Sequence, residues 1–112
     1  MSKTDKYDSE ILELSAFLRA ISHPARLAIL LYLSETKSCI SGDISNYLPL
    51  SRSTVFQHLQ ELKALGLIHG EIDGLKVNYC LCGSSIDKYK SMLNTFFDKV
   101  DTEGIICNTE AK

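Results

Sequence analysis

Apolar residues recur at helical spacing along most of this chain, and the places where that spacing stops divide it into elements. From Asp8 to Ile21, the residues Ile11, Leu12, Leu14, Phe17, Leu18 and Ile21 form a broad stripe that predicts an amphipathic first helix. His23-Pro24 ends it, because the residue before a proline is pushed out of the α region; Pro24 then suits the first turn of a second helix over 24–34. There Leu27, Leu30 and Leu31 share a face expected to supply core, with Ile29 and Leu33 widening the apolar surface. The segment TKSCIS reads as a connection. Gly42 to Leu48 predicts a short third helix with Ile44, Tyr47 and Leu48 inward, stopped by Pro49.

The fourth helix, over 52–65, has the clearest division of faces. Val55, Leu59, Leu62 and Leu65 recur at the spacing that packs inward, while Arg52, Ser53, Phe56, Gln57 and Gln60 fall outward. Ser51 suits the N-cap, where its hydroxyl satisfies an orphan backbone N–H, and Gly66 suits the position just past the end. After Gly66 the period changes toward two. Leu67 to Ile72, Asp73-Gly74 and Lys76 to Leu81 read as a β-hairpin, with Val77, Tyr79 and Leu81 on one face and Lys76, Asn78, Cys80 and Cys82 on the other. A last helix is expected from about Ser85 to Val100. Its apolar stripe is wide for so small a domain and suggests burial against a partner. The pattern divides the chain into a frayed segment 1–7, one domain over 8–101 and an acidic tail over 102–112.

Composition narrows the class. The chain has 112 residues, 45% of them apolar and 23% charged, which fits a single globular domain with a real core. The formal net charge of −2 excludes a polycation, so any nucleic-acid binding must use a local surface, doubled by a second copy. The first ten residues are polar and carry no signal-peptide core, and the longest apolar run, LAILLYL, is too short to span a bilayer. The reading that follows is a cytoplasmic protein without membrane contact, in which four cysteines are thiols rather than a disulfide framework. No Gly-rich phosphate loop and no nucleophile–base–acid set appears, so an enzyme is not expected.

A helix that presents short polar side chains at its N-terminal end, after a helix and a turn, is shaped to enter a DNA major groove. The order α-α-α-α-β-β-α with a helix-turn-helix just before a hairpin describes a winged helix: mainly α with a small β-hairpin. The blocks AISHPARLAILLYL, GDI, LSRSTVFQHLQELKALGLI and a hairpin ending KVNYCL resemble the ArsR/SmtB family of small dimeric repressors over roughly residues 11–100. The resemblance implies a homodimer formed by the first and last helices, through Leu14, Phe17, Leu18, Leu93, Phe96 and Phe97, bound to double-stranded operator DNA. It places Ser51, Arg52, Ser53, Thr54, Gln57 and His58 at the DNA, with Gln60 and Phe56 on the same side and Lys76 as a basic wing residue. Arg forks to guanine, Gln pairs with adenine, and Ser or Thr serves phosphates or either base. The bland alternative for this face is a solvated helix surface, and Phe56 has two readings, a thymine methyl contact or packing under the wing. His23 lies in the family's HPxR motif and reads as a cap or packing residue.

Effector chemistry rests on the cysteines. Metal-sensing members carry a Cys-x-Cys pair just before the Asp-Leu that Asp43-Ile44 resembles, whereas this chain has Cys39-Ile40-Ser41-Gly42. The final-helix Asp/His site of other members lacks its histidine here, and four zinc ligands do not assemble. Trivalent arsenic or antimony needs only three thiolates. Cys80 and Cys82 share a strand face about 6.6 Å apart, beyond a relaxed disulfide; Cys39 and Cys107, neither on a core stripe, are the preferred pair. Each cysteine also has an ordinary reading as a small hydrophobe. The expected function is therefore a repressor released by a thiol-binding effector. The alternatives are a redox or persulfide sensor on the same scaffold, or a winged-helix protein-interaction module.

Overall fold

The computed structural model describes residues 6–36, 39–42, 50–73 and 76–106. Most of the expected third helix lies at 43–49 and the hairpin tip at 74–75, both outside the described residues.

Helix α1 (Ser9–Ile21) starts where Asp8 accepts a hydrogen bond from the Glu10 amide (3.3 Å). Helix α2 (Pro24–Thr36) follows after a sharp corner, where His23 Nδ1 accepts from the Ala25 amide (3.0 Å) and so caps the helix. The face that α2 buries is not the expected one. Ala25, Ile29 and Leu33 point inward, while Leu27 and Leu31 are exposed at 45% and 60%. In LAILLYL every face is apolar, so periodicity alone has no preferred direction, and contact with the other helices decides.

The connection after α2 is not wholly irregular. Ile40–Gly42 forms a short strand, β1. Helix α3 (Arg52–Ala64) begins at Ser51, whose hydroxyl accepts from the Thr54 amide (3.3 Å), and ends at Gly66 with φ +82. The amides of Gly66 and Leu67 donate to the carbonyls of Lys63 and Leu62, closing the last turn. Strands β2 (Ile68–Asp73) and β3 (Lys76–Leu81) pair antiparallel from Ile68↔Leu81 to Asp73↔Lys76. β1 adds to the far edge of β3, giving the sheet order β1-β3-β2 with Ile40↔Tyr79 in register. Gly70 sits at φ +148 where β2 crosses β3 closely. A Cβ there would run into the Asn78 carbonyl, so only glycine fits.

Helix α4 (Gly83–Lys99) starts two residues earlier than the sequence suggests, with Cys82 as its cap residue. It lies against α1. Phe17 and Tyr89 stack with ring centroids 4.5 Å apart, Lys88 pairs with Glu13, and the Tyr89 hydroxyl donates to Glu13 (3.5 Å). The core gathers Ile29 and Leu33 of α2, Val55, Leu59 and Leu62 of α3, Leu67, Ile68 and Tyr79 of the sheet, and Leu14, Phe17 and Tyr89 of α1 and α4. Among the described residues, no single helix is long and apolar enough to cross a membrane.

Candidate nucleic-acid interface and thiol cluster

α3 is held by its apolar side, with Val55, Leu59 and Leu62 fully buried. That anchoring fixes which side chains face out. Ser51, Ser53, Gln57 and Gln60 are exposed, and Thr54 is half-buried with its hydroxyl 2.8 Å from Ser51 Oγ. Arg52 opens the helix and Lys76 opens β3, but their side chains lie outside the described residues. The exposed set offers amides and hydroxyls of the kind that pair with base edges and phosphates.

Two of the expected DNA contacts are turned away. His58 is only 6% exposed, and its Nδ1 accepts from Arg26 Nε of α2 (3.0 Å). Its ring lies 4.3 Å from that of His23. Burial first, and then the neighbouring His23 and Arg26, hold its pKa below the ordinary histidine value. The physical reason for the misplacement is helical spacing. His58 stands three residues after Val55 and four before Leu62, on the packed side. Phe56 is half-buried and packs against the core, which favours the packing reading over a thymine contact.

The cysteines also pair differently. Cys39 is disulfide-bonded to Cys80, Cα to Cα 4.2 Å, one register step beyond Ile40↔Tyr79. The preferred partner, Cys107, lies outside the described residues. Without β1 in view, nothing in the sequence sets Cys39 opposite Cys80. Cys82 is a free thiol at the start of α4. It donates to Ser85 Oγ (3.3 Å) and lies 3.5 Å from Ser84 Oγ. Once ionised, the sulfur accepts from the Ser85 hydroxyl first and then that of Ser84, and its pKa falls to about 7. Among the described residues, no three His, Cys, Asp or Glu side chains stand close enough to hold a metal ion.

The expected dimer residues split. Leu14 and Phe17 belong to the core and Leu93 packs against it, whereas Leu18, Phe96 and Phe97 are exposed beside Ile11 and Val100. A groove of about 660 Å³ runs between α1 and α4, lined by Ile11, Leu18, Met92 and Phe96 among others. Core demand took the residues nearest the α1–α4 seam and left the outer rim apolar.

A polar-faced helix followed at once by a hairpin, with a long last helix against the first, is the architecture of a winged-helix DNA-binding regulator. Residues 23–69 match the family described as bacterial regulatory protein, arsR family. The HTH-type transcriptional regulator CmtR of Mycobacterium bovis is 33% identical over 85 residues, 76% of this chain and 71% of its own length. The HTH-type transcriptional regulator YgaV of Escherichia coli K12 is 27% identical over 97 residues, 87% of this chain and 98% of that protein. The solved structure of an ArsR-like transcriptional regulator from Rhodococcus sp. RHA1 superposes with a TM-score of 0.65 at 25% identity, covering 84% of this chain and 88% of that one. The chain belongs to the ArsR/SmtB family: it is a helix-turn-helix transcriptional regulator and not an enzyme.

Proposed function

We propose that this regulator is a homodimeric repressor that reads operator DNA through the exposed face of α3, with Arg52, Ser53 and Gln57 at the bases and Lys76 on a phosphate, and that the covalent state of Cys39 and Cys80 sets its affinity. The observation that carries the trigger is the S–S bond from Cys39, just before β1, to Cys80 of β3. Cys39 lies on the approach to the helix-turn-helix and Cys80 on the wing strand, so joining them ties together two parts that must both fit DNA. A two-electron oxidant such as a peroxide takes two electrons and two protons from the thiols, forms the disulfide and is itself reduced to water. An effector that binds the released form more tightly than the DNA-bound form lowers operator affinity, and the coupling is reciprocal.

Trivalent arsenic or antimony remains the second reading, favoured by the free Cys82 two residues beyond Cys80. Reduced Cys39, Cys80 and Cys82 would supply three sulfurs only after Cys82 moves from its place at the start of α4, because the three do not stand close enough to hold an ion. Each As–S bond formed from arsenite releases one water. Soft ions select sulfur, and three thiolates suffice. The cytoplasmic reading of the sequence favours reduced thiols at rest, with the Cys39–Cys80 bond as the oxidised form.

A release titration on a bound operator duplex separates the two. Under anaerobic, fully reducing conditions, release by arsenite supports the metalloid reading; release only by peroxide supports the disulfide. Cys39→Ser or Cys80→Ser should abolish either response while leaving DNA affinity intact. A normal response in the Cys39→Ser, Cys80→Ser double variant would remove the pair from the trigger.

A further inference from the structure

The reading helix carries a polar tie on its buried side. Arg26 of α2 donates through Nε to His58 Nδ1 of α3 and through Nη1 to the Ala20 carbonyl in the last turn of α1, each at 3.0 Å. One guanidinium therefore spans three helices. A planar fork with fixed N–H directions does this, and a single ammonium does not. His23, which caps α2 through the Ala25 amide, tilts its ring against His58 from the α1–α2 corner.

The bond also fixes the chemistry of His58. A ring nitrogen that accepts from Arg26 has no proton, so the neutral ring carries its proton on Nε2. That nitrogen is buried with no hydrogen-bond partner among the described residues. A second proton would have to sit on Nδ1, facing the guanidinium: two donors and two positive charges in one buried place. Protonation and the Arg26 bond exclude each other.

We propose that Arg26 and His58 are positioning residues for DNA binding: neutral His58 latches α3 to the α1–α2 corner through Arg26, and protonation of His58 releases the reading helix and lowers DNA affinity. The charged and titratable groups that act on the ring are His23 from the corner and Arg26 from α2; among the described residues no carboxylate does. Burial first, then the neighbouring His23 and Arg26, place the titration below the ordinary histidine value, so the latch is closed at neutral pH and opens on acidification.

The proposal rests on α3 being the DNA-reading helix, so its test carries a control for that reading. The probe is a duplex enriched from a randomised pool by the full-length reduced protein. Affinity is followed from about pH 8 to about pH 5 for wild type, His58→Asn, Arg26→Lys and Gln57→Ala. The wild type should lose about tenfold or more on acidification, the worth of a hydrogen bond to a charged group. His58→Asn keeps an acceptor but cannot take up a proton, and should lack that loss. Arg26→Lys should bind about tenfold more weakly at the alkaline end, and Gln57→Ala should be weaker at every pH with the wild-type profile. If Gln57→Ala binds normally, α3 is not the reading helix. If it binds weakly while His58→Asn keeps the wild-type pH profile, the latch alone is overturned. Should the His58 or Arg26 variants fail to fold, ¹⁵N-histidine spectra of the wild type decide. An Nε2–H tautomer titrating below the ordinary value supports the latch, and an Nδ1–H tautomer or ordinary titration overturns it.

Discussion

Cys82 and His58 are both titratable groups moved from their ordinary behaviour, and by opposite means. Hydroxyl donors from Ser85 and Ser84 stabilise the Cys82 thiolate, whereas burial, with His23 and Arg26 alongside, penalises charge on His58. Alkylation of Cys82 by iodoacetamide should therefore rise with pH through about 7, and Ser85→Ala should move that midpoint upward. The readout is the labelled mass of the Cys82 peptide against pH; an unshifted midpoint in Ser85→Ala would show that the hydroxyl does not support the thiolate. At this scale the sequence was partly legible. The spacing that buries Val55 and Leu62 also buries His58, whereas its likeness to a DNA-reading position points it outward. The serine partners of Cys82 depend on where α4 begins, which a wide apolar stripe leaves loose by a turn.

Elements with strong local signals were legible, and those made by long-range pairing were not. α3 was readable because its cap, its apolar period and its terminal glycine agree. Ser51→Ala should cost about 1 kcal/mol of stability, measured by denaturant unfolding with an unchanged slope; no loss would mean that water replaces the cap without penalty. β1 is three residues, Ile-Ser-Gly, with no period of its own. Its pairing to β3 joins positions 39 and 80, which no local pattern specifies, and the disulfide partner was lost with it. The buried face of α2 failed for a related reason: where every direction is apolar, tertiary contact chooses, and it chose Ala25, Ile29 and Leu33.

At the scale of the molecule, the outer faces of α1 and α4 remain apolar after the core is complete. Ile11, Leu18, Phe96, Phe97 and Val100 are all at least 40% exposed. A contiguous surface of this kind on a small domain fits a second copy. Sedimentation should give a dimer at micromolar protein, and Phe97→Asp should yield monomer or aggregate with loss of DNA binding. A folded wild-type monomer at that concentration would contradict the assembly. Dimerisation also answers the charge problem, since a net charge of −2 leaves one subunit with little general attraction to DNA. In the proposed dimer, two reading helices set one DNA turn apart would compensate with specific contacts.

The exposed face of α3 is the centre of the account, and the Arg52→Ala, Gln57→Ala double variant tests it most directly. Each substitution should cost on the order of 1–3 kcal/mol on the duplex that wild type selects, with unfolding midpoint and oligomeric mass unchanged because Gln57 is exposed and Arg52 stands at the first position of α3, ahead of its buried residues. Affinity equal to wild type in a folded double variant would contradict the assignment of α3 as the helix that reads DNA.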